Sequence, residues 1–166
     1  MKHIEIKKIP IDIINDYLDY KNLKINRIYS SNKSQIKRLD HYLWWFKMKN
    51  KRKSFIISKK KKFLFISTSD HIKSQNYKFI YSGLISCVEE TNLFDFLTGI
   101  KLQNIYLDKQ KDTFCFISIH KMNKVLLNHW KYFGYQPLKR NDKLYIQLKK
   151  FVNLNQNLHI FFKKVI

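Results

Sequence analysis

The 166-residue chain predicts an α/β fold: a mixed, mostly antiparallel sheet with helices on both of its faces. Two observations carry this prediction. Short runs rich in β-branched and aromatic residues cluster early, between positions 54 and 88, and then alternate with segments of helical periodicity. In addition, no internal repeat and no Pro-, Gly- or Ser-rich linker divides the chain, so one domain over 1–166 is expected.

Composition narrows the class. Apolar residues make up 45% of the chain and aromatics 16%, too hydrophobic for a disordered polypeptide. No apolar run approaches the ~18 residues a membrane span needs. The start, Met1 to Lys8, alternates charge with isoleucine and has no apolar signal core, so a cytoplasmic protein is expected. Cys87 and Cys115 have neither metal nor disulfide spacing, and each sits in an apolar run as a small core residue would. No histidine pair has ligand spacing, so no metal is expected.

The net charge of +21 points toward an anionic partner such as nucleic acid. The basic residues are nonetheless nearly all lysine; the arginines are Arg27, Arg38, Arg52 and Arg140. Alanine is absent, while Ile, Asn, Lys, Phe and Tyr abound, the residues an AT-rich genome encodes most readily. Phosphate clamps and base readers favour the arginine fork. A solvated lysine coat is the favoured account, and nucleic acid the less favoured one.

Taken in order, "DIINDYLDYKNL" (Asp12–Leu23) places Ile13, Ile14, Tyr17, Leu18 and Leu23 on one helical stripe. "NRIYSSN" (Asn26–Asn32) reads as an extended entry into a loop. Ser34 then caps a second helix, "SQIKRLDHYLWWFKMKN", with Ile36, Leu39, Leu43 and Phe46 on one face. After a lysine-rich turn at Asn50–Lys53, "SFIIS" (Ser54–Ser58) and "KFLFISTS" (Lys62–Ser69) are strands joined by a Lys59–Lys61 turn. "DHIKSQN" is a polar connection. "YKFIYSGLISCV" (Tyr77–Val88) is a strand in which Gly83 marks a bulge or a close backbone approach. A helix from Leu93 to about Lys109, weakened by Gly99, precedes the strand "TFCFISIH" (Thr113–His120). "NKVLLNHWKYF" (Asn123–Phe133) is a helix capped by Asn123, with Val125, Leu126, His129, Trp130 and Phe133 as its stripe. "KLYIQLKKF" is the final strand, and 152–166 is a tail whose "LHIFFKKVI" could pair as an edge strand.

Gly134 falls just past the last periodic residue of the Asn123 helix, the left-handed stop position where a side chain would be penalised by ~1 kcal/mol. Tyr135 and Pro137 follow. Strand, Asn123, short helix, Gly134 between aromatics and a returning strand resemble the end of the GCN5-related N-acetyltransferase (GNAT) fold. A second stretch, Asn26–Phe46, resembles GNAT members that acylate amino sugars of bacterial surface polysaccharides, at Arg27, Ser30, Ile36, His41 and Trp44.

The resemblance implies an acyl-CoA-dependent N-acyltransferase that passes an acyl group, with acetyl-CoA as co-substrate, to a small amine such as a nucleotide-linked amino sugar. It places the cofactor along Ser86, Cys87, Val88 and Asn92 after the Tyr77–Val88 strand, and at Asn123. It places the acceptor near Arg27, Ser30 and Trp44. His41 is the preferred general base, with a packing role as its alternative, and Glu89 is a second candidate base. The reaction requires a splay between the Tyr77–Val88 and Thr113–His120 strands, near Gly83 or Ser86.

Two departures stand out. The stretch matching the family's glycine-rich phosphate loop has no glycine and no arginine, and carries Glu89 and Glu90. Acids at that place also suit any helix N-terminus. Trp130 occupies the place of the family's tyrosine general acid, and an indole N–H cannot protonate a thiolate at neutral pH. The alternative is a GNAT-like scaffold without catalysis, holding an anionic partner through its lysine surface.

Overall fold

The computed structural model describes residues 4–9, 11–30, 32–48, 51–74 and 77–166. Met1–His3 of the expected isoleucine alternation, Ser31, Asn50 of the expected turn, and Gln75 and Asn76 of the expected connection lie outside the described residues.

The described chain runs β1 (Ile4–Lys8), α1 (Ile14–Asn22, entered through a 3-10 turn), α2 (Lys24–Ile28), α3 (Arg38–Met48), β2 (Arg52–Lys59), β3 (Lys62–Lys73), β4 (Lys78–Ser86), α4 (Leu93–Leu107), β5 (Thr113–His120), α5 (Lys124–His129), β6 (Gln136–Pro137), α6 (Lys143–Lys149) and β7 (Leu158–Val165). A 3-10 turn over Trp130–Phe133 extends α5. The strands form one seven-stranded sheet in the order β1-β2-β3-β4-β5-β7-β6. Every neighbouring pair is antiparallel except β4 and β5, which are parallel and joined through α4.

The period of two along each strand sends alternate side chains to opposite faces. On one face Ile56, Ile66 and Ile85 meet Tyr17, Trp44 and Trp45 of α1 and α3. Further along that face, Phe79, Phe116 and Ile160 meet Tyr145 and Leu148 of α6. The opposite face carries α4 over Ile57, Phe65 and Leu84, and α5 over Ile119 and Phe161. Gly99 lets α4 settle on the sheet: a Cβ there would lie 2.9 Å from the Phe65 ring. Expected as a weak point, Gly99 is a packing requirement. Gly83 marks a close approach, 3.1 Å from Thr68 Oγ1 to where its Cβ would be, and β4 runs through it in unbroken register; the bulge lies at Ile57/Ser58. Gly134 takes φ 76°, the left-handed stop.

Several expectations are corrected. "KLYIQLKKF" is helix α6, because Tyr145 and Leu148 bury a helical face on the Phe79–Phe116 cluster. The tail strand is no edge: β7 pairs along its length with β5 and on its other side with β6. β3 continues through Asp70 to Lys73, where a connection was expected. Residues 24–28 are helical, not extended. The helix expected from Ser34 begins at Arg38, and Leu39, Leu43 and Phe46 are 68%, 63% and 61% exposed. The buried face of α3 is instead His41 with Trp44 and Trp45, stacked on the ring of Tyr17. Val125 is exposed, and Leu127 takes its place in the α5 stripe.

Candidate active site: a wedge between two parallel strands

β4 and β5 pair from Phe79↔Phe114 to Ser82↔Ile117, and there the ladder stops, although β4 runs on to Ser86 and β5 to His120. Each strand keeps its outer partner past that point. β3 follows β4 to Phe65↔Ser86, and β7 follows β5 to His120↔Leu158. The inner edges therefore separate without loss of the sheet, and a wedge opens past Ser82, in the stretch where the resemblance calls for a splay. It sits at the carboxyl ends of the two parallel strands, where open α/β sheets hold ligands, and the N-terminus of α4 follows directly on β4.

Backbone alternation turns the N–H and C=O of Leu84 and Ser86 toward the wedge. The groups of Ser86 are taken up by the amide of Asn26 in α2. Ser86 N–H donates to Asn26 Oδ1 at 2.9 Å, and Asn26 Nδ2 donates to Ser86 O at 2.7 Å and to Tyr20 O at 2.6 Å. Glu89 lies beside the first amides of α2, accepting from Lys24 N–H at 3.4 Å and Ile25 N–H at 3.5 Å. The mouth is thus fastened to α1 and α2 by two side chains.

At the apex, Tyr81 Oη and Ser118 Oγ lie 2.5 Å apart, joining β4 to β5 just where the ladder ends. Burial raises the Tyr81 pKa, against the opposing pull of the Ser118 hydrogen bond, so the phenol stays protonated at neutral pH. A polar row leads from this pair across the sheet. Tyr81 is opposite Asp70, and Asp70 is opposite Arg52. Arg52 grips Asp70 with Nε at 2.5 Å and Nη2 at 2.6 Å. Arg52 Cζ stands 4.5 Å from the Trp44 ring centroid and Lys21 Nζ 3.9 Å from it. Burial, with Arg52 and Arg27 nearby, pushes Lys21 down to about 8.

The sequence-predicted residues distribute unevenly around this geometry. His41 is 1% exposed, with Nε2 3.0 Å from the Ile14 carbonyl, and burial lowers its pKa. It is enclosed by the Tyr17, Trp44 and Trp45 rings, so the packing alternative describes its surroundings. Arg27 is turned away into the following loop, donating to the carbonyls of Asn32 and Ser34, and the Ser30 amide donates to Arg27 O. The Trp44 ring is engaged by two cations. Asn92 and Asn123 cap α4 and α5, accepting from Asp95 N–H and Leu126 N–H. Ser86 Oγ donates to Val88 O, and Cys87 is buried with its thiol pushed up to about 12 by burial. Cys115 is likewise a buried free thiol. Trp130 packs on Phe161 at 4.7 Å.

Sequence reasoning missed Tyr81, Ser118, Asp70, Arg52 and Lys21, which no motif links. It also missed the cations that face the loop after β4. A cleft of ≈ 400 Å³ on the β3 side of that loop is lined by Lys59, Lys60 and Lys62 with Val88, Glu90 and Asn92. Lys59 pairs with Asp95 at 2.7 Å, and Lys60 and Lys61 turn the hairpin at φ 50° and 65°. Lysine charge from β2 and β3 thus offsets the acids that the loop itself carries. Among the described residues, no helix is long and apolar enough to cross a membrane.

This is the fold of the GNAT acetyltransferases. Spermidine N-acetyltransferase from Vibrio cholerae, in complex with CoA and spermine, matches with TM-score 0.75 over 99% of this chain and 97% of its own, at 10% identity. Ribosomal-protein-alanine N-acetyltransferase from Brucella melitensis matches with TM-score 0.70 over 96% and 99%, at 8% identity. An acetyltransferase of the GNAT family from Streptococcus pneumoniae matches with TM-score 0.67 over 98% and 99%, at 6% identity. No protein-family model matches the sequence, and no curated protein matches it.

Proposed function

We propose that residues 1–166 act as one acyl-CoA-dependent N-acyltransferase on a small amine, working in the cytoplasm, where acyl-CoA is made. The observation that carries this is the wedge: two parallel strands that stop pairing at Ser82↔Ile117, with the backbone groups of Leu84 turned into the gap. An unpaired strand edge fits the amide-bearing arm of CoA, which can pair with it as a strand would. The α4 N-terminus and Lys60 and Lys62 suit its phosphates. The Vibrio enzyme, a structure of this fold in complex with CoA, supports acyl-CoA as the co-substrate.

Bound acetyl-CoA supplies a thioester, whose carbonyl is attacked by the acceptor amine. The chain contributes position and charge. Leu84 N–H is a fixed donor for developing negative charge. The Tyr81–Ser118 pair is a neutral relay: as the C–N bond forms, one hydroxyl oxygen takes a proton from the amine, the other gives its own to the sulfur as the C–S bond breaks, and the amide and the free CoA thiol leave with the pair neutral again. A phenol whose pKa is raised by desolvation suits this role better than it suits that of a base. The acceptor then enters as free amine, and the rate rises with pH until the amine is deprotonated.

The finer reading is a nucleotide-linked amino sugar of surface-polysaccharide synthesis, supported by the likeness of Asn26–Phe46 to such enzymes. Titration calorimetry with acetyl-CoA tests the reading. Micromolar affinity is expected, and no heat at millimolar ligand overturns it. A thiol-release assay over amino sugars and their nucleotide derivatives then tests the acceptor.

A further inference from the structure

Beside the wedge, at the Trp44 ring, the described residues hold more positive than negative charge. Lys21 and Arg52 meet at the Trp44 ring, Arg27 adds its charge from the neighbouring loop, and among the described residues Asp70 is the carboxylate that acts on Lys21. Both oxygens of Asp70 are already taken by Arg52. The Lys21 ammonium has no ion pair among the described residues; it rests on the rings of Trp44 at 3.9 Å and Tyr17 at 5.8 Å. Lys21, Trp44, Arg52, Asp70, Tyr81 and Ser118 are all partly exposed, so solutes can reach them. A half-buried ammonium without a counter-ion is costly, and an oxyanion arriving beside it would relieve that cost.

Building on the transferase reading, we propose that the acceptor carries an oxyanion, a carboxylate or a phosphate, that binds Lys21 over the Trp44 ring while its amine lies at Tyr81 and Ser118. The geometry also keeps the two groups apart. Arg52, Asp70 and Tyr81 stand directly opposite one another on β2, β3 and β4. Two strand spacings, roughly 10 Å, separate the backbones at the ends of that row, and Lys21 meets Arg52 at the Trp44 ring, so amine and anion are held several bonds apart. That span excludes an α-amino acid, whose two groups are adjacent, and admits a chain or sugar ring between them. It also excludes polyamines, whose second ammonium would face Lys21 and Arg52.

Matched acceptors test this. 6-Aminohexanoate is compared with hexylamine, and glucosamine 6-phosphate with glucosamine, in wild type and Lys21→Met, by thiol release from acetyl-CoA. For the preferred pair, kcat/KM is expected to be roughly tenfold to a hundredfold higher with the anion, and Lys21→Met removes the difference. The carboxylate and phosphate pairs show which oxyanion is used. Equal rates within both pairs, or spermine as the best substrate, overturn the proposal. Calorimetry with each anionic compound and no acetyl-CoA separates the two readings. Heat that Lys21→Met abolishes upholds the anion site even if acetyl-CoA does not bind. Absence of heat with both compounds overturns it even if acetyl-CoA does.

Discussion

The two ends of the wedge are made of different material. At the apex, Tyr81 and Ser118 project from strands locked by flanking ladders, and their hydroxyls meet at 2.5 Å. At the mouth, the hydrogen bonds that hold Ser86 and the α4 loop to α1 and α2 come from the side chains of Asn26 and Glu89, the latter at 3.4 and 3.5 Å. Cross-strand register fixes the first arrangement, and it cannot shift without breaking the sheet. The second depends on side-chain rotamers, which can change without breaking a ladder. The proposed mechanism, with its chemistry at the apex and adjustment at the mouth, is in keeping with that difference.

The largest expected effect sharpens the contrast at the apex. Tyr81→Phe keeps the ring that packs and removes the oxygen that bonds Ser118. Its kcat should fall roughly 10²- to 10⁴-fold, with acetyl-CoA affinity by calorimetry unchanged. A variant that keeps wild-type kcat would remove the relay from the apex.

A smaller effect separates the apex from the aromatic cluster behind it. His41 belongs to that cluster, so His41→Ala should cost about 2–4 kcal/mol of stability in denaturant titration, through the lost packing and the lost bond to Ile14 O. Folded protein should keep most of its turnover. Burial lowers the His41 pKa, so the unfolded chain binds the proton more readily. Wild-type stability is then full above about pH 6.5 and declines as pH falls below it. His41→Asn should flatten that decline. A bell-shaped rate profile lost in the variant would instead restore His41 as a base.

The strands were legible because apolar, β-branched runs at period two have few other uses, and Gly134 because a lone glycine after a helical stripe has one conformational purpose. "KLYIQLKK" was misread because it fits both periods: Leu144, Ile146 and Leu148 alternate, while Leu144, Tyr145 and Leu148 follow a helix. Only the Phe79–Phe116 surface it meets decides between them. α3 was turned the wrong way because a stripe of leucines outweighs a histidine on any hydropathy count, whereas stacking on Tyr17 rewards flat rings. The apex pair was invisible for a different reason. Tyr81 and Ser118 are 37 residues apart, and no local pattern sets the register of two strands joined through a helix.

The smallest effect tests the mouth itself. Asn26→Ala leaves the Ser86 N–H and C=O without their partner in a partly buried place, a loss of about 1–2 kcal/mol. Glu89→Gln weakens only two long, exposed contacts to the start of a five-residue helix, so its effect on stability should stay within about 0.5 kcal/mol. If Glu89 were a base, that variant would lose turnover by orders of magnitude while remaining folded. If it is a fastening of the mouth, kcat is preserved and only the KM for acetyl-CoA moves, by a few-fold. It should move downward, since the substitution removes a negative charge close to the phosphates while leaving Lys60 and Lys62 in place. The two mouth variants would then differ in kind: Asn26→Ala frees backbone groups for the arm of CoA at the expense of the fold, and Glu89→Gln changes charge alone.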